Sequence, residues 1–289
     1  MKRLIVILGV AAMSSSAIFV RYSSAPSIVL VLYRMLFSVV LLLPSVLLKN
    51  RQELKELQRR DWLLCAISGV FIGLHFSAYF EALKWTSIAA AVVLSDTEVL
   101  FVALALVLIF KKKLTGGAWF AIALAFGGSI VIAMADSSAG MGSLRGTLLG
   151  LASGFLMSVY TMIGSVCRRK VSTTVYTFVV YCMAAVTVMA VALFGGTPLL
   201  GHGGVNLAIG LGLAVFPTLL GHSVFSWGLK YLPPTFIASA KLLEPVLAAI
   251  MGWILFRENP GWQVAIGGAI VVAGIALYGR IEAAEEKET

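Results

Sequence analysis

Apolar residues run through this chain in ten blocks, at about 4–21, 28–48, 62–82, 87–110, 115–135, 146–167, 173–194, 205–229, 235–256 and 262–279. Each block is roughly 20 residues long, enough for a helix to cross a hydrocarbon core of about 30 Å. The gaps between blocks are short, so no soluble domain has room to form. The sizeable polar stretches are Lys49–Asp61 and the tail after Arg280. The pattern predicts an all-α membrane protein with ten transmembrane helices.

Half of the pattern is a copy of the other half. Residues 75–136 align without a gap on 221–282, an offset of 146 positions. Ser77 falls on Ser223, Leu83-Lys84-Trp85 on Leu229-Lys230-Tyr231, Glu98 on Glu244, Phe110-Lys111 on Phe256-Arg257, Ala123 on Ala269 and Gly128 on Gly274. One repeat holds five predicted spans, an odd number, so the second copy enters the membrane from the opposite side. The expected architecture is two inverted five-helix repeats, 1–137 and 145–281, with a polar tail at 282–289. Inverted repeats mark secondary transporters, whose substrate site lies near the midplane between the halves.

Composition agrees: 60% apolar and 12% charged residues exclude a disordered chain and disfavour a soluble domain. The net charge of +9 could suggest a nucleic-acid partner, but the distribution of charge argues against one. With the amino terminus inside, sixteen Lys and Arg residues fall in cytoplasmic segments: Lys2, Arg3, Lys49, Arg51, Lys55, Arg59, Arg60, Lys111–Lys113, Arg168–Lys170, Lys230, Arg280 and Lys287. Four, Arg21, Lys84, Arg145 and Arg257, fall outside. That bias places both termini in the cytoplasm, and the basic runs then record topology. The first block follows Met1-Lys2-Arg3 and has small residues near Ser16-Ala17, as a signal peptide would. Removing it would leave nine spans and break the symmetry, so it reads as the first helix.

Several features belong to packing. Cys65, Cys167 and Cys182 lie in or at the ends of helices without a CxxC or a His cluster, which leaves no disulfide framework or metal site. Gly69 and Gly73, and Gly146, Gly150 and Gly154, recur at the four-residue interval that lets membrane helices approach. Gly127-Gly128 and Gly267-Gly268 are read the same way. Pro44, Pro217 and Pro245 sit inside apolar blocks, where each removes a backbone donor and loosens the preceding turn.

A charge at the centre of a membrane helix costs about 2.5–3.5 kcal/mol on insertion scales. The residues that bear this cost, or sit unpaired among apolar neighbours, are Arg34, His75, Glu81, Asp96, Glu98, His222, Lys241 and Glu244. Glu98 and Glu244 are repeat equivalents near mid-span. Lys241 stands three residues before Glu244, close enough along a helix for an ion pair. Asp96 and Glu98, two residues apart, cannot share a helix face, so one is expected to meet the cavity and the other a structural partner such as Arg34 or Lys241. His75 and His222 map one residue apart across the repeats and fit either interhelical hydrogen bonds or a proton relay. Trp85 reads as an interface anchor, whereas Tyr79, Tyr160, Tyr181 and Trp227 lie deeper, where aromatic side chains can wall a pocket. The candidate substrate-binding residues are therefore Glu98, Glu244, Lys241, Arg34, Tyr79, His75, His222, Trp227 and Tyr160.

Tyr33-Arg34 opening the second helix, FEALKWTSIAAA at 80–91, KLLEPVLAAIMGWILFREN at 241–259 and the glycine-rich stretch from Gly267-Gly268 to Gly274 occur in this order on the duplicated unit. In these segments the chain resembles the EamA branch of the drug/metabolite transporter superfamily, over nearly its whole length. The resemblance implies a ten-helix inner-membrane exporter of amino acids and other small metabolites, with proton coupling in some members. The first repeat departs from the family pattern: Val99 stands where a proline is common and Lys112 where Glu is frequent, while the second repeat keeps Pro245 and Glu258. That leaves Glu98 expected on an unkinked helix.

An intramembrane enzyme would need a nucleophile with its base, or a metal. Neither HExxH nor GxSxG occurs, and Ser68 and Ser153 lack the glycine two positions earlier that a rhomboid-like site would carry. No catalytic, cofactor-binding or metal-binding constellation is expected. The expected partners are a small-molecule substrate, protons and the lipid bilayer, with the chain as a monomer or homodimer. The nearest rival function is transport of nucleotide sugars, nucleosides or phosphorylated metabolites. Such substrates call for several cations, and Arg34 and Lys241 are the intramembrane ones, against four acids; a zwitterion or cation fits better.

Overall fold

The computed structural model describes residues 1–85, 88–111, 113–136, 143–256 and 262–288, and every element among them is helical. The first apolar block forms α1 (Lys2–Ser14) and α2 (Ser16–Arg21), separated at Ser15. Then come α3 (Ser27–Lys49), which continues through Pro44, a short α4 (Arg51–Glu56) inside the polar stretch, and α5 (Arg59–Trp85). α8 is Gly116–Asp136, α9 Leu144–Cys167 and α10 Thr173–Phe194. Ser143 and Ser172 cap the last two, accepting from Gly146 N and Val175 N. α15 runs from Trp262 to Glu288, so its helix extends into the polar tail.

Like the first block, the fourth and the ninth are not single helices. The fourth divides into α6 (Ile88–Ser95) and α7 (Glu98–Leu108), and the ninth into α13 (Pro234–Lys241) and α14 (Glu244–Phe256). Under the 146-residue offset Ile88 maps on Pro234, Ser95 on Lys241 and Glu98 on Glu244, so the two breaks fall at the same register. The expectation of an unkinked helix around Glu98 is corrected here. At Asp96-Thr97 the ladder tightens, with Thr97 N donating to Leu94 O and Val99 N to Asp96 O, and the Thr97 hydroxyl also donates to Leu94 O. In the second copy Leu242 N bonds Ser239 O and Leu243 N bonds Ala240 O. Pro245 falls in the first turn of α14, where a missing N–H costs little, so it opens a helix instead of kinking one.

The eighth block is also irregular. α11 (Gly203–Leu213) passes into a π-helical stretch, Ala214–His222, and then α12 (Ser223–Gly228). Pro217 lies within the widened turns, and the Thr218 hydroxyl donates to Leu213 O five residues back. Among the described residues, seven helical runs are long and apolar enough to cross a membrane, and shorter apolar helices lie at Gly116–Gly128 and Ala265–Ile281.

The helices pack around two apolar clusters. One joins α3, α5, α9 and α10; the other joins α1, α7, α8, α12, α13 and α15. Small residues set the closest approaches. A methyl at Gly69 would lie 2.5 Å from the Val180 carbonyl oxygen, and one at Gly73 3.0 Å from that of Ala184, so α5 and α10 touch backbone to backbone. A methyl at Gly128 would lie 2.7 Å from Gly267 O and one at Gly274 2.6 Å from Ala125 N, so α8 closes tightly on α15, whereas Gly127 faces open space. Cys65 and Cys167 are buried and Cys182 is half-buried, all as free thiols.

Candidate transport cavity

The irregular stretches meet at one place. A narrow cavity between the two apolar clusters is lined by Met13 and Ser16 from α1 and α2 and Arg34 from α3. His75, Phe76 and Tyr79 of α5 add a wall, as do Val92, Ser95 and Asp96 around the first break. Pro217 and His222 of the π-helical stretch, with Lys241 and Glu244 at the second break, complete it. Breaks and π-turns free backbone and redirect side chains, and irregular backbone inside a membrane is tolerated where it lines a cavity.

The charges divide by role. Arg34 is 1% exposed; its Nε donates to Thr218 Oγ1 at 2.6 Å and its guanidinium lies over the Phe76 ring, 3.9 Å from the centroid. The π-turn thus aims Thr218 at Arg34. Lys241 forms an ion pair with Glu98, and the other Glu98 oxygen accepts from Thr161 Oγ1 at 2.6 Å. Glu98 is thereby sealed between α7, α9 and α13 and does not line the cavity, while its repeat equivalent Glu244 does. The possible Lys241–Glu244 pair within one helix is replaced by this contact between repeats, because the helix ends at Lys241 and restarts at Glu244. Both glutamates sit in the first turn of a half-helix, whose terminus carries roughly half a positive charge and favours a carboxylate.

Five polar atoms around this cavity are buried without a hydrogen-bond partner among the described residues: Ser16 Oγ, Arg34 Nη2, Tyr79 Oη, Asp96 Oδ2 and His222 Nδ1. Buried polar groups are nearly always paired, so their convergence on one space marks a place built to meet a polar molecule or water. His75 is better satisfied, with Nδ1 at 2.9 Å from Ser153 Oγ and 3.0 Å from Ser153 O, and Ser153 Oγ continues to Ser95 Oγ at 3.2 Å. Its ring stacks on Tyr79, while His222 meets the edge of Phe76 at 5.0 Å.

Of the nine residues singled out from sequence, Arg34, His75, Tyr79, His222, Lys241 and Glu244 meet at this cavity. Glu98 stands behind Lys241. Tyr160 points elsewhere, sharing a hydrogen bond with Ser226 Oγ at 2.8 Å beside Tyr176, and Trp227 packs on Tyr231 with centroids 5.0 Å apart. Glu81, grouped with the mid-membrane charges, is at the end of α5, partly exposed among Lys84, Arg145 and Trp85. Of the two neighbouring acids Asp96 and Glu98, Asp96 is the one that lines the cavity. Met13, Ser16 and Phe76 were not anticipated, since nothing distinguishes them within their apolar blocks. Lys112, Glu258 and Arg257 lie outside the described residues, as does the side chain of Trp253.

Comparison with known proteins supports the transport reading. A protein of Archaeoglobus fulgidus named "Uncharacterized transporter" is 28% identical over 258 residues, 86% of each chain. The "Uncharacterized transporter YwfM" of Bacillus subtilis is 24% identical over 244 residues, covering 81% of this chain and 78% of its own. A solved crystal structure shares the fold, with a TM-score of 0.80 and 19% identity over 97% of each chain. The sequence profile of the EamA-like transporter family matches residues 2–134 and again 144–280. The chain, a multi-pass membrane protein and not an enzyme, belongs to the EamA-like transporter family.

Proposed function

We propose that the protein is a secondary active transporter that exports small zwitterionic or cationic metabolites, amino acids or related compounds, across the cytoplasmic membrane by alternating access. The observation that carries this is the set of partnerless polar atoms around the cavity. Each unmet group costs about 1–3 kcal/mol until something pairs with it. Arg34 offers a charged donor; Asp96 and Glu244 offer acceptors. Lys241 is already neutralised by Glu98, which among the described residues that line the cavity leaves one cation, Arg34, against two acids. That balance suits a ligand with one carboxylate and one ammonium, or a cation, and does not suit a phosphorylated compound.

In this reading ten helices form two inverted five-helix repeats, 1–137 and 145–281, with the tail and both termini in the cytoplasm. The matched breaks at Asp96-Thr97 and Leu242-Leu243 support the pairing of the repeats. Glu244 contacts substrate or carries a coupling proton, Arg34 takes the substrate carboxylate, and Tyr79, His75 and His222 complete the lining. Glu98 holds Lys241 in place.

Uptake into proteoliposomes, with amino acids, amines, nucleosides and nucleotide sugars offered with and without a pH gradient, tests the proposal. Transport of amino acids or amines that responds to the gradient is expected. Preference for nucleotide sugars or other phosphorylated compounds would overturn the substrate class.

A further inference from the structure

We propose that the protein carries a built binding surface for anionic phospholipid headgroups on the face that holds the α3–α5 and α9–α10 connections. The first connection presents Lys49, Arg51, Lys55, Arg59 and Arg60, all exposed. Within it α4 lies flat on the bundle, with Leu54 and Leu57 packed against the apolar core and the cations turned outward. The second connection presents Arg169 and Lys170, also exposed.

The two connections are held together. Glu53 Oε1 accepts from Ser172 N at 2.6 Å, a contact across 119 positions of sequence. Arg168 fixes the second connection from below: it is 2% exposed, donates from Nε to Ser226 O at 2.8 Å and from Nη2 to Thr173 Oγ1 at 2.6 Å, and also bonds Val171 O. Three acids, Glu53, Glu56 and Asp61, stand among these seven cations and leave the patch a net charge of +4. Glu53 accepts from Ser172 and Asn50, and Glu56 from Gln52.

Charge bias alone, as a record of topology, needs no such clip; separate loops would satisfy it equally. Gathering like charges is unfavourable unless an anion meets them. Leu47, Leu48, Trp62 and Leu63 are exposed on the flanking turns of α3 and α5. Apolar and aromatic side chains beside cations place this surface at the depth of the headgroups. The inference needs only that the chain is a membrane protein; it is independent of the substrate.

The test uses the full chain purified in detergent and titrated with phosphatidylglycerol or phosphatidylcholine, with thermal stability and lipid retention in native mass spectrometry as readouts. Phosphatidylglycerol is expected to bind and stabilise, and phosphatidylcholine to do neither. Each cation removed should weaken binding by about fivefold, so Lys55→Gln/Arg59→Gln/Arg60→Gln together lose roughly a hundredfold. Arg169→Gln/Lys170→Gln, at an exposed loop, gives the same reading should the triple variant fold poorly. Glu53→Ala separates a built surface from diffuse attraction: it adds positive charge yet releases the clip. Weaker binding by Glu53→Ala supports the proposal, while tighter binding, or equal affinity for the two lipids, overturns it.

Discussion

Lys241 passes over Glu244, three residues along its own chain, to pair with Glu98, 143 positions away in the other repeat. The pair ties the end of one broken helix to the start of the other, and Thr161 adds α9 to the same knot. Both side chains are almost wholly buried. Removing one partner of such a pair costs about 3–5 kcal/mol, because the other charge is left stranded. Glu98→Gln is therefore expected to lower the melting temperature in detergent sharply. Adding Lys241→Met, which removes the stranded charge, should restore most of the loss. A double variant as unstable as the single would show that the pair is not what holds these helices.

Close approach between α9 and the first helix break depends on glycine. A methyl at Gly150 would lie 2.7 Å from Leu94 Cβ, and one at Gly154 2.8 Å from the Ser95 carbonyl oxygen. Gly127 faces open space. Gly150→Leu should thus reduce yield and lower thermal stability by about 1–3 kcal/mol through overpacking, while Gly127→Leu is close to neutral. Equal tolerance, read by fluorescence-detected size exclusion after heating, would remove this contact from the packing scheme.

The repeat register was legible because two stretches of sequence keep pace without a gap, and Arg34, His75, Tyr79, His222, Lys241 and Glu244 were legible because polar groups are costly inside apolar helices. The breaks were not. Residues 87–110 read as one apolar block, and Asp96-Thr97 contains neither Gly nor Pro to announce an interruption. Helical spacing consequently suggested a Lys241–Glu244 pair, and only the break sends Lys241 to the other repeat. Arg168 was counted as a topology marker with its neighbours, yet it is buried and hydrogen-bonded on three sides. Those partners come from a carbonyl 58 residues away and from its own turn, which no local pattern reveals.

The sixteen-to-four distribution of basic residues predicts that both termini lie in the cytoplasm. Alkaline phosphatase, active when exported, should be inactive fused after Thr289 and active when inserted near Ser138, which lies outside the described residues. The Lys49–Asp61 stretch should behave as the carboxyl terminus does. The reverse pattern at Thr289 and Ser138 would contradict the inverted-repeat assignment.

Glu98 and Glu244 are equivalent in the repeats but not in their surroundings, and this separates their expected phenotypes. Glu98 has both oxygens engaged, whereas Glu244 opens on the cavity beside Arg34, Tyr79 and Asp96. Glu244→Gln keeps shape and hydrogen bonding while removing the charge. It should abolish transport, or its pH dependence, with the melting temperature unchanged to within about 2 °C. Asp96→Asn, at an acid with an unpartnered oxygen, should weaken affinity for cationic or zwitterionic substrate by about tenfold, the loss of a contact of about 1.4 kcal/mol. Fold is again expected to be preserved, since Asp96 forms no ion pair among the described residues. Wild-type transport by Glu244→Gln at every pH would make that carboxylate structural. If Asp96→Asn in turn leaves substrate preference intact, the cation pole of the cavity belongs elsewhere, and the unmatched acid at the first helix break serves the turn itself.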